Sequence, residues 1–140
     1  MAVERVILAV VLVAVALVVA AVVQGRRPDA PTQSRTAPIP QQLDRADFDA
    51  VEVAWLVVVF SSDTCAACEE ALVKANSLAT DDVAVVEISW QAEPELHRRY
   101  AINTVPSLVI AGPDGAVEAG FIGPPPAGEL WAAMASVRDR

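Results

Sequence analysis

The spacing of two cysteines constrains the fold of this chain more than any other feature. Cys65 and Cys68 are the only cysteines in 140 residues. They follow the apolar run 56–60 and begin a segment with helical periodicity. Backbone N–H groups without partners and the helix dipole stabilise a thiolate at a helix start. A Cys-X-X-Cys at a strand-to-helix junction is therefore typical of a reversible, reactive dithiol.

Two other interpretations of the cysteine pair stay open, namely a structural disulfide and a metal site. A disulfide stabilises a fold mainly by closing a long loop, and this loop is very short. A structural zinc site usually needs four ligands, whereas the chain has two cysteines and one histidine. The sequence therefore favours redox chemistry and predicts no metal ligands.

A long apolar segment near the N-terminus predicts a membrane anchor. Residues 6–23 contain no polar side chain, and as a helix they would span roughly 27 Å, close to the thickness of a bilayer core. A cleaved signal peptide is the alternative, but its apolar region is usually shorter and ends at a small-x-small site. The matching site at 14–16 lies in the middle of the run. We therefore expect 1–5 to be a short flank and 6–23 to be one uncleaved transmembrane helix.

Residues 24–42 are predicted to form a proline-rich flexible linker between the anchor and a domain over 43–140. The segment is polar, contains four prolines and lacks apolar periodicity; a proline-rich docking site is the alternative. Arg5 precedes the apolar run, and Arg26 and Arg27 follow it. This small excess of positive charge leans towards a cytoplasmic domain, and an extracytoplasmic location stays open.

The charge of the domain argues against nucleic acid as a partner. From residue 41 onward there are 16 acidic and 6 basic side chains, a formal net charge of −10. Nucleic acids require a basic surface because phosphate contacts supply most of the affinity.

The remaining pattern predicts an α/β domain with a mixed central sheet flanked by helices. Predicted strands cover 55–60, 83–88, 107–111 and 116–122, and predicted helices cover 47–53, 65–79, 94–100 and 128–137. The cysteine pair then lies beyond the carboxyl end of a central strand, where open α/β sheets place their chemistry. His97 stands beside two arginines and is predicted to face solvent.

Three segments together resemble the thioredoxin superfamily. They are FSSDTCAAC at 60–68, YAINTVPS at 100–107, and the Pro-Asp-Gly turn at 113–115 followed by Gly123 and a terminal helix. The resemblance covers 43–137 and implies a thioredoxin-like fold. It also implies that Cys65 attacks a substrate disulfide, that Cys68 resolves the mixed disulfide, and that no cofactor is needed besides this redox-active disulfide.

The resemblance further implies that Pro106 is cis and faces the cysteines. The backbone of Val105 would then pair with a substrate strand beside the sulfurs, and Thr104 would join it in binding the substrate.

The sequence also departs from the thioredoxin pattern. Val59 stands where the family usually has an aspartate beneath the resolving cysteine, and Glu87 stands where a lysine neighbours it. We hypothesise that the Glu87 carboxylate points inward and accepts the proton of Cys68. The alternative is a glutamate that faces solvent near the end of its strand.

These features predict a membrane-tethered thiol–disulfide oxidoreductase that acts on protein thiols and disulfides and receives electrons from an upstream donor. No basic residue adjoins the cysteines, while Asp63, Glu69 and Glu70 lie close in sequence. We therefore expect a reductant rather than an oxidant. The alternatives are a copper(I)-binding module and a redox-inactive scaffold.

Overall fold

The chain divides into two compact units, 1–34 and 35–140. The computed structural model describes residues 13–16, 39–49 and 52–140. In the first unit, residues 13–16 are helical and exposed. No helix within the described ranges is long and apolar enough to cross a membrane. The flank predicted at 1–5, the anchor predicted at 6–23 and the linker predicted at 24–42 lie outside these ranges, apart from 13–16 and 39–42.

The second unit is built on one mixed sheet with helices on its faces, as the sequence predicts. Its strands are β1 (Trp55–Ser61), β2 (Val83–Ser89), β3 (Ser107–Ala111) and β4 (Val117–Ile122), and its helices are α1 (Ala66–Asn76), α2 (Pro94–Arg99) and α3 (Ala127–Arg138). The strand order is β2-β1-β3-β4. β1 runs parallel to β2, whereas β3 runs antiparallel to both β1 and β4.

Strand β1 is the centre of the core because both of its faces are covered. Its residues 56–60 are completely buried. Val57 and Val59 pack in the cluster that contains residues of α1 and α3. The alternate residues, among them Phe60, pack on the other face with Tyr100 and the N-terminal segment. This double burial explains why β1 reads as a continuous apolar run rather than an alternating one.

Contacts with the folded domain begin before residue 43, where the sequence predicts that the domain starts. Ile39 packs against the core, and Gln42 forms an isolated antiparallel bridge with Ala116. The Leu43 amide donates to the Gly115 carbonyl at 2.8 Å. The ordered domain thus includes the last residues that the sequence assigns to the linker.

The short helix predicted over 47–53 does not form in the described part of this segment. A 3-10 turn spans Arg45–Asp47 instead, and Asp44 caps it by accepting a hydrogen bond from the Ala46 amide at 3.0 Å. Phe48 is extended and buries its ring in the core. The extended backbone at Phe48 stops the helix, since its side chain must reach the core.

Helix α1 also ends earlier than the predicted 79, at Asn76. The next amides of Leu78 and Ala79 donate to the carbonyls of Ala75 and Asn76. These bonds join residues three apart, so the last turn tightens out of α-helical geometry.

Candidate functional site

The cysteine pair lies where β1 passes through a short turn into α1. Cys65 is the N-cap of α1 and Cys68 lies in its first turn. The two are joined by a disulfide with an S–S distance of 2.14 Å and a Cα–Cα distance of 5.3 Å. The Cys68 amide donates to the Cys65 carbonyl at 3.1 Å. The backbone therefore holds the two sulfurs together, and the bond can open and close with little movement of the chain.

The two cysteines differ in exposure. Cys65 is partly exposed, whereas Cys68 is 4% exposed and faces the core. A polypeptide thiol or disulfide can thus reach the Cys65 sulfur more easily than the Cys68 sulfur.

Gln91 forms hydrogen bonds to the turn that precedes Cys65, and the sequence did not predict this contact. The Asp63 amide donates to Gln91 Oε1 at 3.0 Å, and Gln91 Nε2 donates to Ser62 Oγ at 3.0 Å. Ser89 Oγ adds a hydrogen bond to Asp63 Oδ1 at 2.7 Å. The position of Gln91 just after β2 was the available signal, because β2 is parallel to β1 and parallel strands end at the same edge of the sheet.

The loop before β3 lies at the same end of the sheet as the cysteines. The Val105–Pro106 peptide bond is cis, as the resemblance implies. Val105 and Ser62 line one cavity of about 560 Å³, which places this loop next to the turn that leads to Cys65. Ser107 Oγ donates to the Thr104 carbonyl at 2.7 Å. Substrate binding by Thr104, Val105 and Pro106 stays a prediction.

Glu87 lies beside the cysteine pair but does not point into the core. Its side chain is exposed, in contrast to the inward orientation that the sequence suggested. Ser61 Oγ, which belongs to a buried residue, donates to Glu87 Oε1 at 2.6 Å. Glu87 shares a cavity of about 440 Å³ with both cysteines. The carboxylate is therefore open to solvent and faces the same space as the disulfide.

The charged residues that line this second cavity are all acidic, namely Asp63, Glu69 and Glu87. A thiolate at Cys65 would therefore gain stabilisation from the start of α1 but none from a cation in the cavity lining.

His97 is buried rather than exposed, which corrects the sequence prediction. Its side chain is 1% exposed, and Nε2 lies 2.9 Å from the Ile88 carbonyl oxygen. Its ring lies nearly perpendicular to the Phe60 and Trp90 rings, with the centroids 5.3 Å apart in each pair. The spacing of three residues between His97 and the buried Tyr100 was the signal for a shared inner helix face.

Groups of three or more histidine, cysteine, aspartate or glutamate side chains that could hold a metal ion are absent from the described ranges.

The fold is similar to that of solved thioredoxin structures. The germline-specific thioredoxin Deadhead from Drosophila melanogaster matches with a TM-score of 0.56 and 24% identity, covering 66% of this chain and 89% of its own. Mitochondrial thioredoxin 3 from Saccharomyces cerevisiae, in its oxidized form, matches with a TM-score of 0.51 and 22% identity, covering 60% and 80%. A malarial protein matches with a TM-score of 0.55 and 14% identity, covering 59% and 96%.

No protein-family model matches the chain, and no curated protein does. The structural likenesses confirm the predicted thioredoxin-like fold, and the Cys65–Cys68 pair fits the Cys-X-X-Cys pattern.

Proposed function

We propose that this chain is a thiol–disulfide oxidoreductase that exchanges the Cys65–Cys68 disulfide with the thiols and disulfides of other proteins. The observation that carries the proposal is the disulfide itself. It lies at the start of α1 in a thioredoxin-like fold, with Cys65 partly exposed and Cys68 buried. The loop of the cis Pro106 at the same end of the sheet supports it.

The difference in burial between Cys65 and Cys68 supports separate roles for the two cysteines. In the reducing direction, the Cys65 thiolate attacks a substrate disulfide, forms a mixed disulfide and releases one substrate thiolate. Cys68 then loses its proton and attacks the Cys65 sulfur, which breaks the mixed disulfide and releases the second substrate thiolate. Two electrons pass from the chain to the substrate, and the Cys65–Cys68 disulfide is restored.

The charges around the pair favour reduction of substrates over their oxidation. A strongly oxidising pair has a heavily stabilised thiolate, whereas the cavity beside these cysteines is lined by three carboxylates and no cation. We expect a midpoint potential in the range of roughly −300 to −200 mV.

The proposed partners are protein substrates and an upstream electron donor of the same dithiol chemistry. The apolar run 6–23 would tether the domain to a membrane and restrict it to substrates at that surface. Deletion of 6–23 should move the chain from the membrane fraction to the supernatant. A chain that fractionates identically with and without this run would contradict the tether.

A redox titration of the full chain tests the exchange chemistry. The chain is equilibrated in glutathione buffers of known potential, and the free thiols are trapped with an alkylating reagent and counted by mass. We expect one reversible two-electron transition. A cysteine pair that stays reduced throughout would indicate a redox-inactive scaffold instead. Stoichiometric copper(I) binding without thiol–disulfide exchange would indicate a copper(I)-binding module.

A pair of single-cysteine variants tests the assigned roles. Cys68→Ala should accumulate a stable mixed disulfide with a peptide disulfide, because Cys65 is accessible and nothing resolves the product. Cys65→Ala is the matched control, and it should form the adduct far more slowly since Cys68 is covered. Equal rates of adduct formation would contradict the assignment.

A further inference from the structure

The resolving step requires a base, because Cys68 attacks as a thiolate. Val59, which stands where the family usually has an aspartate, carries no atom that accepts a proton. On the premise that the proposed exchange takes place, we propose that Glu87, held by the Ser61 hydroxyl, accepts the proton of Cys68 across the cavity that both line.

The pairing of β1 with β2 places Glu87 next to Val59. The two residues are direct partners in the parallel register, so their backbones lie roughly 4.8 Å apart. Val83 and Val85 pack in the cluster that holds residues of α1, and Glu87 follows them at intervals of two along β2. Since alternate residues of a strand share a face, Glu87 extends from the face of the sheet that carries α1 and Cys68.

The cavity supplies a path for the proton. Its volume of about 440 Å³ has room for several water molecules between Glu87 and the cysteines that share its lining. Ser61 is 1% exposed, and its hydroxyl donates to Glu87 Oε1 at 2.6 Å. This bond fixes one carboxylate oxygen and leaves the other, Oε2, available to accept a proton through water.

In the resolving step, one proton passes from Cys68 to Glu87 and then to solvent. The Cys68 thiol gives its proton through water to Glu87, and the resulting thiolate attacks the Cys65 sulfur of the mixed disulfide. The bond between Cys65 and the substrate breaks, and the leaving substrate thiolate takes a proton from solvent. Glu87 returns its proton to solvent, so the carboxylate is ready for the next turnover.

The titratable groups that line the cavity with Glu87 are Asp63 from the turn, Cys65 at the N-cap of α1, and Cys68 and Glu69 from α1. The Ser61 hydroxyl from β1 is hydrogen-bonded to Glu87. Glu69 lines the same cavity and is exposed like Glu87. It therefore provides a matched control, because neutralising it removes one negative charge from the same space without removing the group bonded to Ser61.

The experiment uses the reduced full chain and a limiting amount of dithiobis(nitrobenzoate), an aromatic disulfide that releases a coloured thiolate. Attack by Cys65 releases the first equivalent at a rate proportional to reagent concentration. Attack by Cys68 on the mixed disulfide releases the second equivalent at a rate independent of it. The two phases separate the initial attack from the resolving step in one stopped-flow trace.

We expect Glu87→Gln to slow the second phase at pH 7 by roughly 10- to 100-fold and to leave the first phase within about twofold. Its second phase should then rise with hydroxide concentration, because hydroxide has to remove the proton of Cys68 when the Glu87 carboxylate is absent. Added formate should restore the second phase of Glu87→Gln, because the cavity is open to small carboxylates. Glu69→Gln should change both phases by a similar small factor.

The outcomes that overturn the two proposals differ. Release of one equivalent only, with no Cys65–Cys68 disulfide in the product, would overturn the proposed exchange and this inference with it. Two equivalents with the same pH profile in wild type and Glu87→Gln would overturn the role of Glu87 alone. Equal slowing by Glu69→Gln and Glu87→Gln would also overturn it, since a loss of charge would then explain the effect.

Discussion

Replacement of Tyr100 with phenylalanine should lower the free energy of unfolding by about 2 kcal/mol. The Tyr100 side chain is 8% exposed and its ring lies near those of Phe48 and Phe60, and phenylalanine preserves this packing. The hydroxyl donates to the Asp47 carboxylate and accepts a hydrogen bond from the Asp44 amide at 3.0 Å. The variant loses both bonds, and a bond to a charged group contributes more than a neutral one.

The contribution of this hydroxyl depends on pH in a defined direction. Burial, followed by the hydrogen bond to Asp47, raises the pKa of Tyr100 to about 12 from its ordinary 10. The unfolded chain therefore releases the proton about two pH units before the folded chain does. The stabilisation is fully present below pH 10 and is lost as the pH rises from 10 to 12.

Urea unfolding of the full chain, followed by tryptophan fluorescence, measures both effects. The stability difference between the wild type and Tyr100→Phe should be constant from pH 7 to pH 9 and should shrink above pH 10. Tyr100 is the only tyrosine in the chain, so phenolate absorbance reports its titration directly. Titration of Tyr100 near 10 in the folded chain, or a stability difference that does not change up to pH 12, would show that the hydroxyl does not stabilise the fold in this way.

Three further substitutions test the packing of the domain. Gly115→Ala should destabilise the chain by at least about 1–2 kcal/mol in urea unfolding, because Gly115 has φ of 80° and a Cβ there would lie 2.0 Å from the Leu43 carbonyl oxygen; an unchanged midpoint would contradict this. Leu130→Ala should cost about 2–5 kcal/mol in thermal or urea unfolding, since Leu130 is completely buried between α3 and the sheet, and a loss below 1 kcal/mol would show that the core collapses around it. Val59→Asp should destabilise the chain more at pH 7 than at pH 4, because burial raises the pKa of the new carboxyl and the unfolded chain ionises it first; equal losses at both pH values would mean that water reaches this position.

The central elements of the fold were predictable from local sequence, because each carries a strong periodic signal. The apolar run at 56–60 indicated β1, and the structure buries all five residues. The Cys65–Cys68 spacing indicated a pair at the start of α1, and the structure joins them there. Periodicity and end signals depend on a few neighbouring residues, so a single sequence is enough to identify them.

Two predictions from the sequence, a helix over 47–53 and an exposed His97, are wrong because a distant contact overrides a local preference. A short helix was predicted over 47–53, yet the Phe48 ring must reach the core and the backbone extends there. His97 stands among charged residues, yet Phe60 and Trp90 from elsewhere in the chain enclose its ring. The Phe48 contact leaves no trace in the adjacent sequence, and only the spacing between His97 and Tyr100 indicated the burial of His97.

The sequence by itself determined that a dithiol would stand at a strand-to-helix junction, because the spacing of Cys65 and Cys68 and the elements around them are local properties. Only the tertiary structure decided which groups face that dithiol. Gln91, Glu87 and the Val105–Pro106 loop come to one end of the sheet through strand pairing. Strand register is set by packing across the whole core, and it therefore determines the surroundings of the two sulfurs.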